Sequence, residues 1–178
     1  SDPDPMSNGT ILSGDLLQND TEEESSKEEN SFHVLNASDV DPNTLIDGFT
    51  IIGGNANGDW PDSNGGGAII YRSGNPTIVN CRFHKNRADD DGGGIFIYWD
   101  EYEDEQDTHP TIMDCSFEEN TSQVGGAIHT IDPDTHIIQS VFSSNLAERD
   151  GGAIFNYGSI ISGSTFSKNT STQRGGAI

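Results

Sequence analysis

Apolar residues along this chain come in short runs, punctuated by glycine, asparagine and acidic residues. Thr10-Ile11-Leu12 is the first run and is closed by Ser13-Gly14-Asp15. Phe32-His33-Val34-Leu35 follows, then Leu45 to Ile52, then a glycine/asparagine/aspartate loop from Gly53 to Asn64 that carries Trp60. From Gly65 onward the pattern becomes regular. Each unit predicts a short strand after a pair of glycines, a turn, a second strand through a phenylalanine, and a turn at an asparagine. A helical period of 3.6 residues is nowhere sustained, so the chain reads as all-β. Two polar stretches interrupt the runs. Residues 15–30 cluster Glu22, Glu23, Glu24, Glu28 and Glu29, and residues 99–110 carry six carboxylates. Both are expected to be loop excursions.

The regular part is a repeat. Gly-Gly followed by small or apolar residues returns at Gly66, Gly93, Gly125, Gly151 and Gly175, spaced by 27, 32, 26 and 24 residues. Phe-x-x-Asn alternates with it at Phe83/Asn86, Phe117/Asn120, Phe142/Asn145 and Phe166/Asn169. Strands this short cannot bury a face alone, and stacking one coil on the next solves that problem, so the period predicts a solenoid. The expected fold is a parallel β-helix of about six coils, at one coil per ~25 residues. Right-handed crossover is the hand that parallel connections take. Residues 1–9 are a polar lead-in and 10–178 a single β-helix domain. Phe83, Phe117, Phe142 and Phe166 are expected to form one inner ladder, and Ile69, Phe96, Ile128 and Ile154 another. Asn86, Asn120, Asn145 and Asn169 suit tight turns, because asparagine tolerates the left-handed region and its amide bonds the backbone. Stacked amides also bond one another along the axis. Phe49 lies 34 residues before Phe83 and reads as a degenerate copy of the same strand.

Composition narrows the function. Only 31% of the residues are hydrophobic, which a solenoid tolerates because each coil buries a thin inner stack. The net charge is -22, which excludes a generic phosphate-backbone binder and argues against anionic membranes. No stretch approaches the ~20 apolar residues of a membrane span, and no signal peptide is seen. The chain stops inside a motif at Gly175-Gly176-Ala177-Ile178, so it reads as a segment of a longer protein. Cys81 and Cys115 hold the same place in successive repeats, where Ser140 and Ser164 stand later. Stacked buried thiols fit that placement better than a disulfide, whose torsion in-register neighbours do not suit.

Gly-Gly-Ala-Ile alternating with Phe-x-x-Asn resembles the repeat of the chlamydial polymorphic outer-membrane proteins. It is also similar to exported bacterial right-handed parallel β-helix proteins, whose lead-in coils residues 10–52 resemble. The resemblance spans residues 10–178 and implies a surface or secreted passenger, often tied to adhesion.

Loops that leave a solenoid are common sites of binding, so residues 99–110 are the first candidate. Trp99 and Tyr102 suit stacking on sugar rings, while Asp100, Glu101, Glu103 and Asp104 suit calcium. The alternative is a solvated loop. Asp89-Asp90-Asp91 is a second acidic turn, for a cation, for half of an acid pair, or for neither. Carbohydrate-active β-helices set a competing expectation, with Asp47, Asp114 and Asp132 as carboxylate candidates. The Gly-His-Gly and Arg-x-Lys signatures of such enzymes are absent, and His33, His84, His109, His129 and His136 show no metal-ligand spacing. The reading is a non-catalytic stalk or passenger segment of the cell surface or extracellular space, acting in adhesion or structure. Its partners would be further coils, copies end to end, or a host or environmental glycan. No cofactor is required, and calcium is the ion its acidic loops suit. The alternative is a polysaccharide lyase or hydrolase with its site in the loops.

Overall fold

The structure, a computed structural model, describes residues 9–21, 23–71, 74–98 and 109–178. It is a parallel β-helix built from four sheets. Sheet A has six strands, Thr10–Ser13, Phe49–Ile52, Arg82–His84, Ser116–Glu118, Val141–Ser143 and Thr165–Ser167. Sheets B, C and D have five strands each. Sheet B contains Ala68–Tyr71, Ile95–Tyr98, Ile128–Thr130 and Ile154–Asn156 above Leu35–Asn36. A full coil therefore carries four short strands, where the sequence pattern predicted two. The extra breaks come from left-handed residues at Asn80, Asp114 and Gln139, which split each apolar run before its phenylalanine (φ 52°, 52° and 48°).

Three corners of the coil each use one left-handed residue. Between sheets A and D it is Lys85, Glu119, Ser144 and Lys168, with φ between 53° and 58°. The left-handed position is thus the residue before each asparagine, not the asparagine itself. Between sheets D and B it is Gly65, Gly92, Gly125, Gly151 and Gly175. Gly126 is required for a different reason. A Cβ there would lie 2.4 Å from the Gly152 carbonyl of the next coil, which is backbone and cannot move aside. In sequence, the stretch 99–110 lies between the sheet B strand Ile95–Tyr98 and the sheet C strand Thr111–Met113.

The interior is a set of columns one coil apart. Phe83, Phe117, Phe142 and Phe166 stack with ring centroids 4.8–4.9 Å apart and planes within 7° of parallel. That spacing is the distance between hydrogen-bonded strands, so in-register rings have no other arrangement. Ile51, not Phe49, continues this column below Phe83. The second inner column is Ala68, Ile95, Ile128 and Ile154. Ile69 and Phe96 had been assigned to it from the sequence, one residue out of step. In the first two copies the motif has three glycines, and the left-handed corner is the first of them, Gly65 and Gly92. Ile69 and Phe96 consequently point outward. Sheet C adds Ile46, Ile78, Ile112, Ile137 and Ile161 to the core.

Asn86, Asn120, Asn145 and Asn169 run as a polar ladder beside the phenylalanines. The amide nitrogen of Asn120 donates to the Phe83 carbonyl at 2.9 Å and to Asn145 Oδ1 at 3.0 Å. Its Oδ1 accepts from the backbone N–H and the side-chain amide of Asn86, both at 3.1 Å. Asn86 and Asn145 repeat the pattern. Each rung saturates a buried amide that would otherwise be costly to bury. Cys81, Cys115, Ser140 and Ser164 form a smaller column. Both cysteines are buried free thiols. Each thiol donates to the carbonyl two residues before it, Val79 and Met113, at 3.2 Å. The neighbouring Cys115 thiol lowers the Cys81 pKa, while Cys81 and burial raise that of Cys115.

Candidate functional site

Trp99, Asp100, Glu101, Tyr102, Glu103 and Asp104 lie outside the described residues, so the site expected there has no geometry. The described residues place a different aromatic group on the outer face of sheet B. Strand alternation turns Ile69, Phe96, His129 and Phe155 outward in one column, in register from coil to coil. Phe96 meets the His129 ring edge-on at 5.5 Å, and His129 meets Phe155 at 5.0 Å. Two residues along the strand, Tyr98 stacks beside Phe96 at 6.0 Å. Trp60 then closes the row edge-on to Tyr98 at 6.1 Å.

Trp60 arrives from the corner loop before Gly65. The loop is held by backbone bonds from Asp62 to Asp59 and from Asn64 to Pro61. His33 braces it from below, through the Gly65 carbonyl at 3.0 Å and Asp62 at 3.3 Å. Trp60 keeps 63% of its surface exposed, unusual for a residue with so much apolar area to hide.

Between these rings is a cleft of about 200 Å³, lined by Trp60, Asn64, Asp90, Asp91, Phe96, Tyr98, His129 and Ile131. His129 is its floor, with 8% of its surface exposed. Its Nδ1 lies 3.2 Å from an Asp91 carboxylate oxygen. Its Nε2 is buried without a hydrogen-bond partner. Asp91 in turn receives no help from the other two aspartates of its run. Asp89 pairs with Arg87 at 2.8 Å, and Asp90 accepts from Gln123 at 3.3 Å. The triple aspartate is therefore spread over three neighbours. The cleft offers flat apolar rings, a carboxylate rim and one buried imidazole nitrogen. That set suits a ligand with an apolar face and hydroxyls at its edge.

The carboxylates weighed for catalysis are not brought together. Asp47 accepts from the Asn80 amide at 2.9 Å, and Asp114 occupies a left-handed corner. Asp132 is buried where sheet B turns toward sheet C. Burial raises its pKa, against the Thr135 hydroxyl at 2.5 Å and the Asp134 N–H, both of which favour the ionised form. His109 lies 3.9 Å from Asp132 and 3.8 Å from Asp134, a cluster that the scattered histidines did not reveal. The signal was available as an interval of about one repeat, since residues one coil apart stack. The same rule joins Asn64 to Asp91, 27 residues on, through a hydrogen bond of 3.2 Å. His84 has its pKa lowered, first by burial and then by Arg82. Glu118 has its pKa lowered by the Arg82 guanidinium that bonds it.

Residues 114–131, 139–157 and 163–178 match the family model of the Chlamydia polymorphic membrane protein repeat. The resemblance read from Gly-Gly-Ala-Ile and Phe-x-x-Asn thus holds for three repeats. Each matched stretch begins near the corner between sheets C and A, or on the phenylalanine strand's approach, and two of them run on into sheet B. No curated protein and no solved structure matches the chain. Among the described residues no helix is long and apolar enough to cross a membrane.

Proposed function

We propose that this chain is a non-catalytic segment of a bacterial surface or secreted protein, acting in adhesion, and that the cleft beneath Trp60 takes a glycan. The observation that carries the reading is the exposed Trp60 set against Tyr98, with Asp90 and Asp91 at the rim. Aromatic faces stack on the apolar side of a pyranose, and carboxylates accept its hydroxyls. The polymorphic-membrane-protein repeats support a surface location. The charge of -22 favours neutral or amino sugars over acidic ones. Further coils of the same protein, or copies paired end to end, are the structural partners in this reading, and the solenoid serves as the stalk.

The test is retention on immobilised neutral, amino and acidic polysaccharides, with release of new reducing ends scored in parallel. Retention on a neutral or amino glycan, weakened at least tenfold by Trp60→Ala and by Tyr98→Ala, is expected. Retention unaffected by both substitutions overturns the site. Cleavage that disappears in Asp91→Asn replaces adhesion with catalysis.

A further inference from the structure

The cleft beneath Trp60 is shaped for a narrower class of ligand than sugars in general. The Trp60 and Tyr98 rings stand at 76° to one another with centroids 6.1 Å apart, two walls of a corner instead of one flat plate. Phe96 extends the second wall, its ring 6.0 Å from Tyr98 and tilted by 22°. A pyranose lies flat against one ring, whereas a compact cation is attracted to every ring face within about 6 Å. A corner of rings therefore favours the cation.

The polar groups of the cleft point to the same class. None of its lining residues is a lysine or arginine. Among the described residues neither Asp90 nor Asp91 pairs with a lysine or arginine; Asp90 meets the neutral Gln123 amide and Asp91 the His129 ring, while Asp89 takes Arg87. Asn64 is already committed, its amide nitrogen to the Pro61 carbonyl and the Ser63 hydroxyl, its Oδ1 to the Asp91 N–H. His129 is 8% exposed, and neither of its ring nitrogens completes a hydrogen bond. The Asp91 carboxylate, 3.2 Å from Nδ1, holds the proton of the neutral ring on that nitrogen and leaves Nε2 an acceptor without a donor. Two carboxylates and a bare imidazole nitrogen all accept. An ammonium group carries three N–H donors and no acceptor.

We infer, on the reading of this cleft as a glycan site, that it selects an amino sugar whose nitrogen is unacylated and positively charged. The ammonium group takes the corner between Trp60 and Tyr98, with Asp90 and Asp91 as its counter-charges and His129 Nε2 as a third acceptor at the floor. The sugar ring lies along Trp60. Acetylating the nitrogen removes the charge and two of its three donors, and it adds a carbonyl oxygen that would face the carboxylates. A neutral hexose keeps hydroxyl donors but gives up the attraction to the rings and to the two aspartates.

The experiment is calorimetric titration of the whole chain at pH 7 and constant ionic strength. The probes are the methyl glycosides of glucosamine, N-acetylglucosamine and glucose, and ethylammonium chloride. The glucosaminide should bind at least tenfold more tightly than either other glycoside, and more tightly than ethylammonium, which lacks the ring. Asp91→Asn should abolish that preference. Asp90→Asn, at an exposed rim position that spares the contact between Asp91 and His129, should reduce it severalfold. Asp134→Asn, at a remote acidic turn, should keep it. Equal binding of the three glycosides, weakened by Trp60→Ala, overturns the choice of an ammonium group and leaves the glycan site standing. Ethylammonium binding as tightly as the glucosaminide, with neither neutral glycoside bound, overturns the sugar and the glycan site with it. No binding of any probe overturns both. A preference that survives Asp90→Asn and Asp91→Asn marks diffuse attraction to an acidic chain and overturns the inference.

Discussion

Replacing Asn120 by aspartate changes one NH2 to an oxygen and little else in shape, yet it strikes the ladder at its centre. Wild-type Asn120 donates twice, to the Phe83 carbonyl and to Asn145 Oδ1, and both acceptors would face the new carboxylate. The position is fully buried. A protonated aspartic acid restores one donor, so at pH 4 the loss is one hydrogen bond, about 1–2 kcal/mol. At pH 7 the group must either ionise against two oxygens or hold its proton. Burial and acceptor neighbours raise a carboxyl pKa, and a rise of about 2–3 units is modest for such a site. The unfolded chain then releases the proton near pH 3.9 and the folded chain only near pH 6–7. Because the folded state binds more protons in that window, stability falls as pH rises, by about 1.4 kcal/mol per unit. The variant should therefore lose a further ~2–3 kcal/mol between pH 4 and pH 7, relative to the parent at each pH. Urea unfolding followed by circular dichroism at the two pH values measures this. Gln139→Glu, the same charge change on an exposed corner, controls for the general acidity of the chain. If the two variants lose the same amount over that range, the ladder is not the sealed column described here.

Phe117→Ala removes a ring stacked on both faces and should cost about 4–6 kcal/mol, against about half as much for Phe166→Ala, which has one stacked neighbour, again by urea unfolding. Gly126→Ala forces backbone apart between two coils and should destabilise by several kcal/mol, about 3 or more, while Gly48→Ala, with open space around it, should cost about 1–2 kcal/mol from its φ of 77° alone. Glu118→Gln should lose only about 0.5 kcal/mol at pH 7, because its pair with Arg82 is solvent-screened. Its folded pKa is depressed, so that contribution is present above the unfolded value and vanishes as pH falls through the folded one, which parallel melts at pH 7 and pH 3 would show. Native Cys81 and Cys115 should resist a thiol reagent that labels both in denaturant; rapid labelling of the folded chain would contradict their burial.

Period and residue type were sufficient to determine much of this molecule. Glycine pairs and Phe-x-x-Asn, recurring at coil length, leave a stacked parallel solenoid as the arrangement that buries such short strands, and they place Phe83, Phe117, Phe142 and Phe166 over one another. The resemblance to the chlamydial repeat followed from the same residues. Register was harder to read. Three glycines in a row at Gly65 and Gly92 made the corner ambiguous by one residue, and a one-residue slip in a strand turns every side chain to the other face. That slip hid Phe96 inside the core and with it the outward aromatic column. The left-handed corners at Lys85, Glu119 and Ser144 were equally hidden, since nothing in those side chains favours that conformation and the stacked coils impose it. The candidate site was decided by tertiary structure. Trp60 and Tyr98 are 38 residues apart, yet coil stacking brings them together. Local sequence encodes which faces are apolar; only the stacked chain decides which distant polar and aromatic groups share a surface.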